Sequence, residues 1–187
     1  MTKTIIAFAG RKQSGKTTAA NLLLPHGFVR CSFAEPIKAM IAQLMIDTGL
    51  TPDEIVRYMG EDKETLIPEL GASTRYLLQT LGTEWGRQGI HADIWVNITR
   101  SRLERLDAEY VVFDDLRFDN EADLIRSLGG LVVHVVREPQ AAFYPDLHSS
   151  EMGLHQHEAD AYIDNTGSLL KFSAQVKSIA ADFIGDY

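Results

Sequence analysis

The chain has 187 residues, of which 45% are hydrophobic and 24% charged, and carries a formal net charge of -8. That length supports one sizeable core, and the composition excludes a disordered or fibrous protein. The acidic balance excludes stable, sequence-independent binding of DNA or RNA, and the lone Cys31 excludes an internal disulfide framework. The N-terminus runs straight into an apolar segment and a glycine loop, so no signal peptide is expected, and no apolar run approaches the roughly 20 residues that cross a bilayer. One domain over residues 1–187, in the cytoplasm, is the expectation.

The first predicted strand, Thr4–Ala9, leads into Gly10-Arg11-Lys12-Gln13-Ser14-Gly15-Lys16-Thr17, and a helix over Lys16–Leu24 leads out. Strand, glycine loop and helix in that order complete a Walker A phosphate loop. Its glycines admit backbone angles and close approaches that a side chain would block, and its successive N–H groups form an anion site at a helix N-terminus. Gly10, Lys12, Gln13, Ser14, Gly15, Lys16, Thr17 and Thr18 are therefore the expected ATP-binding residues. Lys16 is expected to reach the β- and γ-phosphates, and the Thr17 hydroxyl to ligate Mg2+.

A second strand is predicted over Phe28–Phe33, followed by a helix over Ile37–Met45 and another opened by the capping box Thr51-Pro52-Asp53-Glu54. Helical spacing returns in Arg75–Trp85 and Ile94–Leu106 before a third strand, Tyr110–Asp115. The connection between strands two and three is longer than a crossover requires, so a helical substrate cap is expected over about residues 34–109. Val111-Val112-Phe113-Asp114-Asp115 is an apolar strand ending in acids, as in a Walker B segment. The two aspartates face opposite ways if the strand persists. A helix over Glu121–Leu128, strands over Leu131–Val136 and Ala161–Asp164, and a helix over Leu169–Phe183 complete the chain. Continuous apolar strands alternating with helices predict an α/β fold of three layers, with a mainly parallel five-stranded sheet between helices. Residues 137–158 lie between the last two predicted strands. His148, His155 and His157 lie there without metal-ligand spacing and read as solvated, while Cys31 reads as a small buried hydrophobe.

Taken in order, several segments resemble the deoxynucleoside monophosphate kinase family known from bacteriophages. They are the phosphate loop, Ser32-Phe33-Ala34-Glu35-Pro36-Ile37-Lys38, the run from Arg75 to Arg87, Asp115-Leu116-Arg117-Phe118-Asp119-Asn120-Glu121, His148-Ser149-Ser150-Glu151 and Asp164-Asn165-Thr166-Gly167-Ser168. The resemblance implies a P-loop, adenylate-kinase-like fold with a short lid over about residues 137–158, which transfers the γ-phosphoryl group of ATP, with Mg2+, to a deoxynucleoside monophosphate. It implies that Lys38, Arg75, Arg87 and Arg117 surround the acceptor phosphate, that Phe33, Gln79 and Trp85 lie against the acceptor, and that Asn165 lines the adenine. A plain helix packing face is the alternative for Gln79 and Trp85, and a plain turn for Asn165. Arg75 and Arg87, twelve positions apart, need not share a helix face. Asp115, rather than Asp114, aligns with the family acid; it is expected beside Thr17 as a metal residue, with action on water or on the acceptor as the open alternatives. Lys16, Asp115, Arg117 and Arg137 are the expected catalytic residues, Arg137 being the lid's only arginine. His148 and Glu151 enter as substrate-binding residues by resemblance alone. The partners expected are small nucleotides, with no stable nucleic-acid complex and no membrane, and a homodimer is left open. Another P-loop small-molecule kinase, of the dephospho-coenzyme A kind or acting on a phosphorylated metabolite, is the alternative enzyme. A nucleotide-dependent switch is the alternative from another class.

Overall fold

The computed structural model describes residues 3–137, 154, 155, 157, 158 and 160–185. The chain forms two compact units, one from Met1–Phe33 with Leu103–Tyr187 and the other from Ala34–Arg102.

The first unit is built on five strands: β1 (Thr4–Ala9), β2 (Phe28–Cys31), β5 (Tyr110–Leu116), β6 (Leu131–Val136) and β7 (Ala161–Asp164), numbered with two short strands of the second unit between them. All pair in parallel, in the order β2-β5-β1-β6-β7. The chain leaves β1 for the β2 edge, returns to insert β5 beside β1, then crosses to β6 and β7. The topological switch therefore falls at β1, where an open α/β sheet binds its ligands beyond the carboxyl ends of its strands. Side-chain alternation divides the sheet into two faces. On one, Ile6, Phe8, Val112, Val133, Val135 and Ile163 pack with Ala19, Ala20 and Leu23 of α1 (Lys16–Leu23). The same cluster takes in Phe172, Val176 and Ala180 of α7 (Leu169–Ile184). On the other, α6 (Asp119–Ser127) lies against β1 and β6. Phe8, Phe113 and Phe172 are fully buried, and each such side chain contributes about 1.5–3 kcal/mol.

The second unit contains α2 (Glu35–Asp47), α3 (Pro52–Met59), the antiparallel pair β3 (Leu66–Ile67) and β4 (Ala72–Ser73), α4 (Thr74–Gln79) and most of α5 (Ile94–Arg105). The capping box opens α3 as expected: the Thr51 amide donates to Glu54 Oε2 at 2.8 Å and the Glu54 amide to Thr51 Oγ1 at 3.4 Å. Ile37, Ile41, Met45, Tyr58, Ile67 and Trp95 form its core.

Three expectations are corrected. The helix predicted over Arg75–Trp85 is α-helical only to Gln79 and continues as a π-helix over Thr80–Ile90. Gly82, Gly86 and Gly89 weaken the α-register there, and the Trp95 indole donates to the Gly82 carbonyl at 2.7 Å. The second strand ends at Cys31, whose side chain is half-buried and not part of the core. The β3–β4 pair was missed because two-residue strands leave no periodicity to read.

Candidate active site

The loop from Gly10 to Thr17 joins β1 to α1 at the switch point. Gly10 has φ +143°, and a Cβ there would lie 2.6 Å from the Val135 carbonyl and 2.7 Å from Ser14 Oγ. Gly15 has φ +110°, and its Cβ would lie 2.5 Å from Asn165 Nδ2. Neither position admits a side chain. Lys16 Nζ donates to the carbonyls of Gly10 at 2.6 Å and Arg11 at 2.8 Å. Asn165 Nδ2 donates to the Ser14 carbonyl at 2.7 Å, and Arg137 Nη1 to that of Gln13 at 3.4 Å. Gln13, Gly15, Lys16, Thr17, Thr18, Arg137 and Asn165 line a cleft of about 280 Å³. Ser14 Oγ is buried without a hydrogen-bond partner among the described residues, the kind of group that a bound oxyanion satisfies. The sequence reading thus converges here for Arg137 and Asn165, both far from the loop in sequence. Lys12 is exposed beside it.

The two acids at the end of β5 separate as strand alternation requires. Asp114 shares the α1 face with Val112, and Thr17 Oγ1 donates to its Oδ2 at 2.7 Å. Asp115, to which the resemblance pointed as the metal's carboxylate, faces the other way. Its Oδ2 accepts from Ser32 Oγ at 2.6 Å and its Oδ1 from the Phe33 amide at 3.2 Å. The acid beside Thr17 is therefore Asp114. Sequence reasoning also missed Arg30 of β2, whose Nε donates to Asp114 Oδ1 at 3.1 Å and whose Nη2 donates to Oδ2. An arginine one residue before the end of a strand adjoining the acids was the available signal. A threonine hydroxyl whose hydrogen goes to a carboxylate leaves its oxygen lone pairs for Mg2+, and the glycine-framed amides suit a triphosphate.

Phe33 is buried with its ring 5.0 Å from that of Phe113, and Arg117 follows β5 directly, its amide donating to Glu121 Oε2 at 2.9 Å. In the second unit Lys38 is exposed on α2 and Gln79 is half-buried at the end of α4. Arg75 Nε donates to Glu64 Oε1 at 2.9 Å, and Arg87 Nη1 to the Ala92 carbonyl at 3.1 Å. Trp85 is 44% exposed on the π-helix, with its ring centroid 6.4 Å from that of Trp95. His148 and Glu151, with most of the expected lid, lie outside the described residues. Of the other histidines, His155 pairs with Asp119 and the His157 amide donates to Asp160 Oδ2 at 3.2 Å.

Away from the loop, Asp160 joins three elements. Arg126 of α6 donates to it through Nε at 3.0 Å and Nη2 at 2.8 Å, and His134 Nε2 of β6 lies 2.8 Å away. Burial alone would raise the Asp160 pKa. The hydrogen bonds from Arg126 and His134, the Arg126 charge and the His157 amide more than offset it and hold the carboxyl below its ordinary 3.8.

A parallel sheet in this order, with a phosphate loop at its switch point and a carboxylate beside the loop's threonine, defines a P-loop nucleotide-binding protein. The crystal structure of TT1252 from Thermus thermophilus shares the fold, with a TM-score of 0.53 over 97% of this chain and 98% of that one at 18% identity. The sequence profile for deoxynucleotide monophosphate kinase matches residues 51–176. A protein of Acanthamoeba polyphaga mimivirus carrying that kinase name is 34% identical over 93% of this chain and 94% of its own length. The deoxynucleoside-5'-monophosphate kinase of Escherichia phage T5 is 34% identical over 56% of this chain and 43% of its own length. The deoxynucleotide monophosphate kinase of Enterobacteria phage T4 is 33% identical over 57% and 44%. The chain thus spans less than half the length of these phage relatives. It belongs to the deoxynucleotide monophosphate kinase family. As a member it is a kinase that uses nucleotides. Among the described residues no helix is long and apolar enough to cross a membrane.

Proposed function

We propose that this protein transfers the terminal phosphoryl group of ATP, with Mg2+, to a deoxynucleoside monophosphate, releasing ADP and the diphosphate. The observation that carries the reading is the phosphate loop at the sheet's switch point, its Thr17 hydroxyl bonded to Asp114 at 2.7 Å and its Ser14 carbonyl to Asn165 at 2.7 Å. Gly10, Lys12, Gln13, Ser14, Gly15 and Thr18 would present amides to the triphosphate, with Asn165 at the adenine side. Lys16 would leave the loop carbonyls and carry its charge to the transferring oxygens, with Arg137 beside it at the Gln13 carbonyl. Thr17 would hold Mg2+, with Asp114 as the acceptor of its hydroxyl hydrogen; the ion, when bound, neutralises charge on the β- and γ-phosphate oxygens. Asp115, fixed by Ser32 and the Phe33 amide, would face the acceptor side, together with Phe33 and Arg117. Lys38, Arg75, Gln79, Trp85 and Arg87, with His148 and Glu151, would serve the acceptor monophosphate. Arginine forks suit that task because they bind phosphate oxygens in pairs. A protein of this chemistry, with a single cysteine, fits the reducing cytoplasm.

The test is ATP consumption with each common deoxynucleoside and ribonucleoside monophosphate, with and without Mg2+, and with the product identified. At least one deoxynucleotide should become a diphosphate, and only with a divalent cation present. Turnover of another phosphorylated metabolite in place of every deoxynucleotide would overturn the acceptor assignment.

A further inference from the structure

The fork from Arg30 to Asp114 plays no part in that scheme, yet it reaches the carboxylate that contacts Thr17. β2 is the edge strand of the sheet and pairs with β5 so that Arg30 lies opposite Val112. From there the guanidinium reaches Asp114, whose side chain is 4% exposed while that of Arg30 is 41% exposed. A carboxylate so buried needs a counter-charge, and Arg30 supplies it. Both oxygens are engaged: Oδ1 accepts from Nε, and Oδ2 accepts from Nη2 and from Thr17 Oγ1. The planar fork fixes the carboxylate plane, so Oδ2 points at the threonine. Thr17 then gives its hydrogen to Asp114 and keeps its oxygen lone pairs for a cation.

We propose that Arg30 is a positioning residue that holds Asp114 as the hydrogen-bond acceptor of Thr17 and prevents it from ligating a divalent cation directly, so that the cation enters only with the nucleotide's phosphates. With its charge already matched, the acid gains little from a bare divalent ion. Without Arg30, a buried carboxylate beside a hydroxyl is a ready site for one.

The probe is Mn2+ alone, titrated without nucleotide and followed by calorimetry and by the paramagnetic resonance of free Mn2+. The wild-type protein should show no saturable binding at millimolar Mn2+ while binding MnATP. Arg30→Met should bind one Mn2+ at least about tenfold more tightly than wild type, and Arg30→Met combined with Asp114→Asn should return to wild-type behaviour. Arg30→Gln, which keeps a donor at that place, carries the same expectation if the methionine variant fails to fold. A folded variant with no gain, or a gain that survives Asp114→Asn, overturns the proposal. It rests on the reading that the loop takes ATP with a divalent cation. Failure of the wild type to bind MnATP would overturn both, whereas MnATP binding without the gain overturns the role of Arg30 alone.

Discussion

Lys16 holds two carbonyls of its own loop, at 2.6 and 2.8 Å, and neither bond is part of a helix or strand ladder. Lys16→Ala should therefore leave the fold intact while removing the charge proposed to meet the transferring phosphoryl. A loss of at least about 10²–10³ in kcat is expected, with an unchanged melting temperature; near-normal turnover in a folded variant would overturn the assignment. Gly15→Ala should act differently. At φ +110° and with its Cβ 2.5 Å from Asn165 Nδ2, the added methyl must displace the amide that holds the Ser14 carbonyl. Nucleotide affinity should fall together with stability, as read by calorimetry and thermal melting. The loop was legible from sequence because its eight residues are contiguous and their chemistry is local. The pairing of Thr17 with Asp114 was not, because choosing between adjacent acids needs the facing of β5, which depends on where the strand ends. Arg30 was hidden for a related reason: its partner lies on another strand, 84 positions away.

Strands and helices with strong periodicity were legible to within a few residues, since burial on both sheet faces leaves continuous apolar runs. The π-helix was not, because the i, i+3, i+4 spacing of its apolar residues fits an α-helix equally well at that length. Its effect is geometric. In a continuous α-helix at about 100° per residue, Arg75 and Arg87 would lie about 120° apart. At roughly 4.4 residues per turn from Thr80 onward they come back to nearly the same side. Alanine at either position should raise the KM for the acceptor well above any change in ATP affinity; equal losses for both nucleotides would mark the arginines as structural. The register itself depends on Trp95, whose indole N–H meets the buried Gly82 carbonyl, and on Gly86, where a Cβ would lie 2.5 Å from the Trp95 ring. Trp95→Phe should cost about 1–3 kcal/mol in urea denaturation. It leaves Trp85 as the sole tryptophan, so a shift in emission excited at the red edge of the indole band would report a changed helix directly.

At the scale of the molecule, resistance to acid should depend on Asp160, which ties α6 and β6 to the chain entering β7. Its side chain is 1% exposed and that of Arg126 19%, so solvent screens this pair little. Asp160→Asn removes the charge that faces Arg126 and replaces one accepting oxygen by an NH2 group, and should cost about 2–4 kcal/mol at neutral pH, measured by urea denaturation. The sign of the pH dependence follows from the lowered pKa. A depressed carboxyl stabilises fully above its unfolded value of about 3.9 and loses that contribution as pH falls through its native value. The gap between wild type and Asp160→Asn should therefore be constant from neutrality down to about pH 4 and close below it. Asp119 and Asp164 are also lowered, so both proteins keep an acid limb, but the wild type's should be steeper. His155 works in the opposite sense. The hydrogen bond and charge of Asp119 raise its pKa above 6.5, so its contribution is present at low pH and lost as pH rises through the raised value. Being fully exposed, it leaves the acid limb to the carboxyls. Stability curves for the two proteins that stay parallel from pH 7 down through the acid limb would show that Asp160 is protonated alike in the folded and unfolded chains, and the Arg126 pairing would then carry no acid sensitivity.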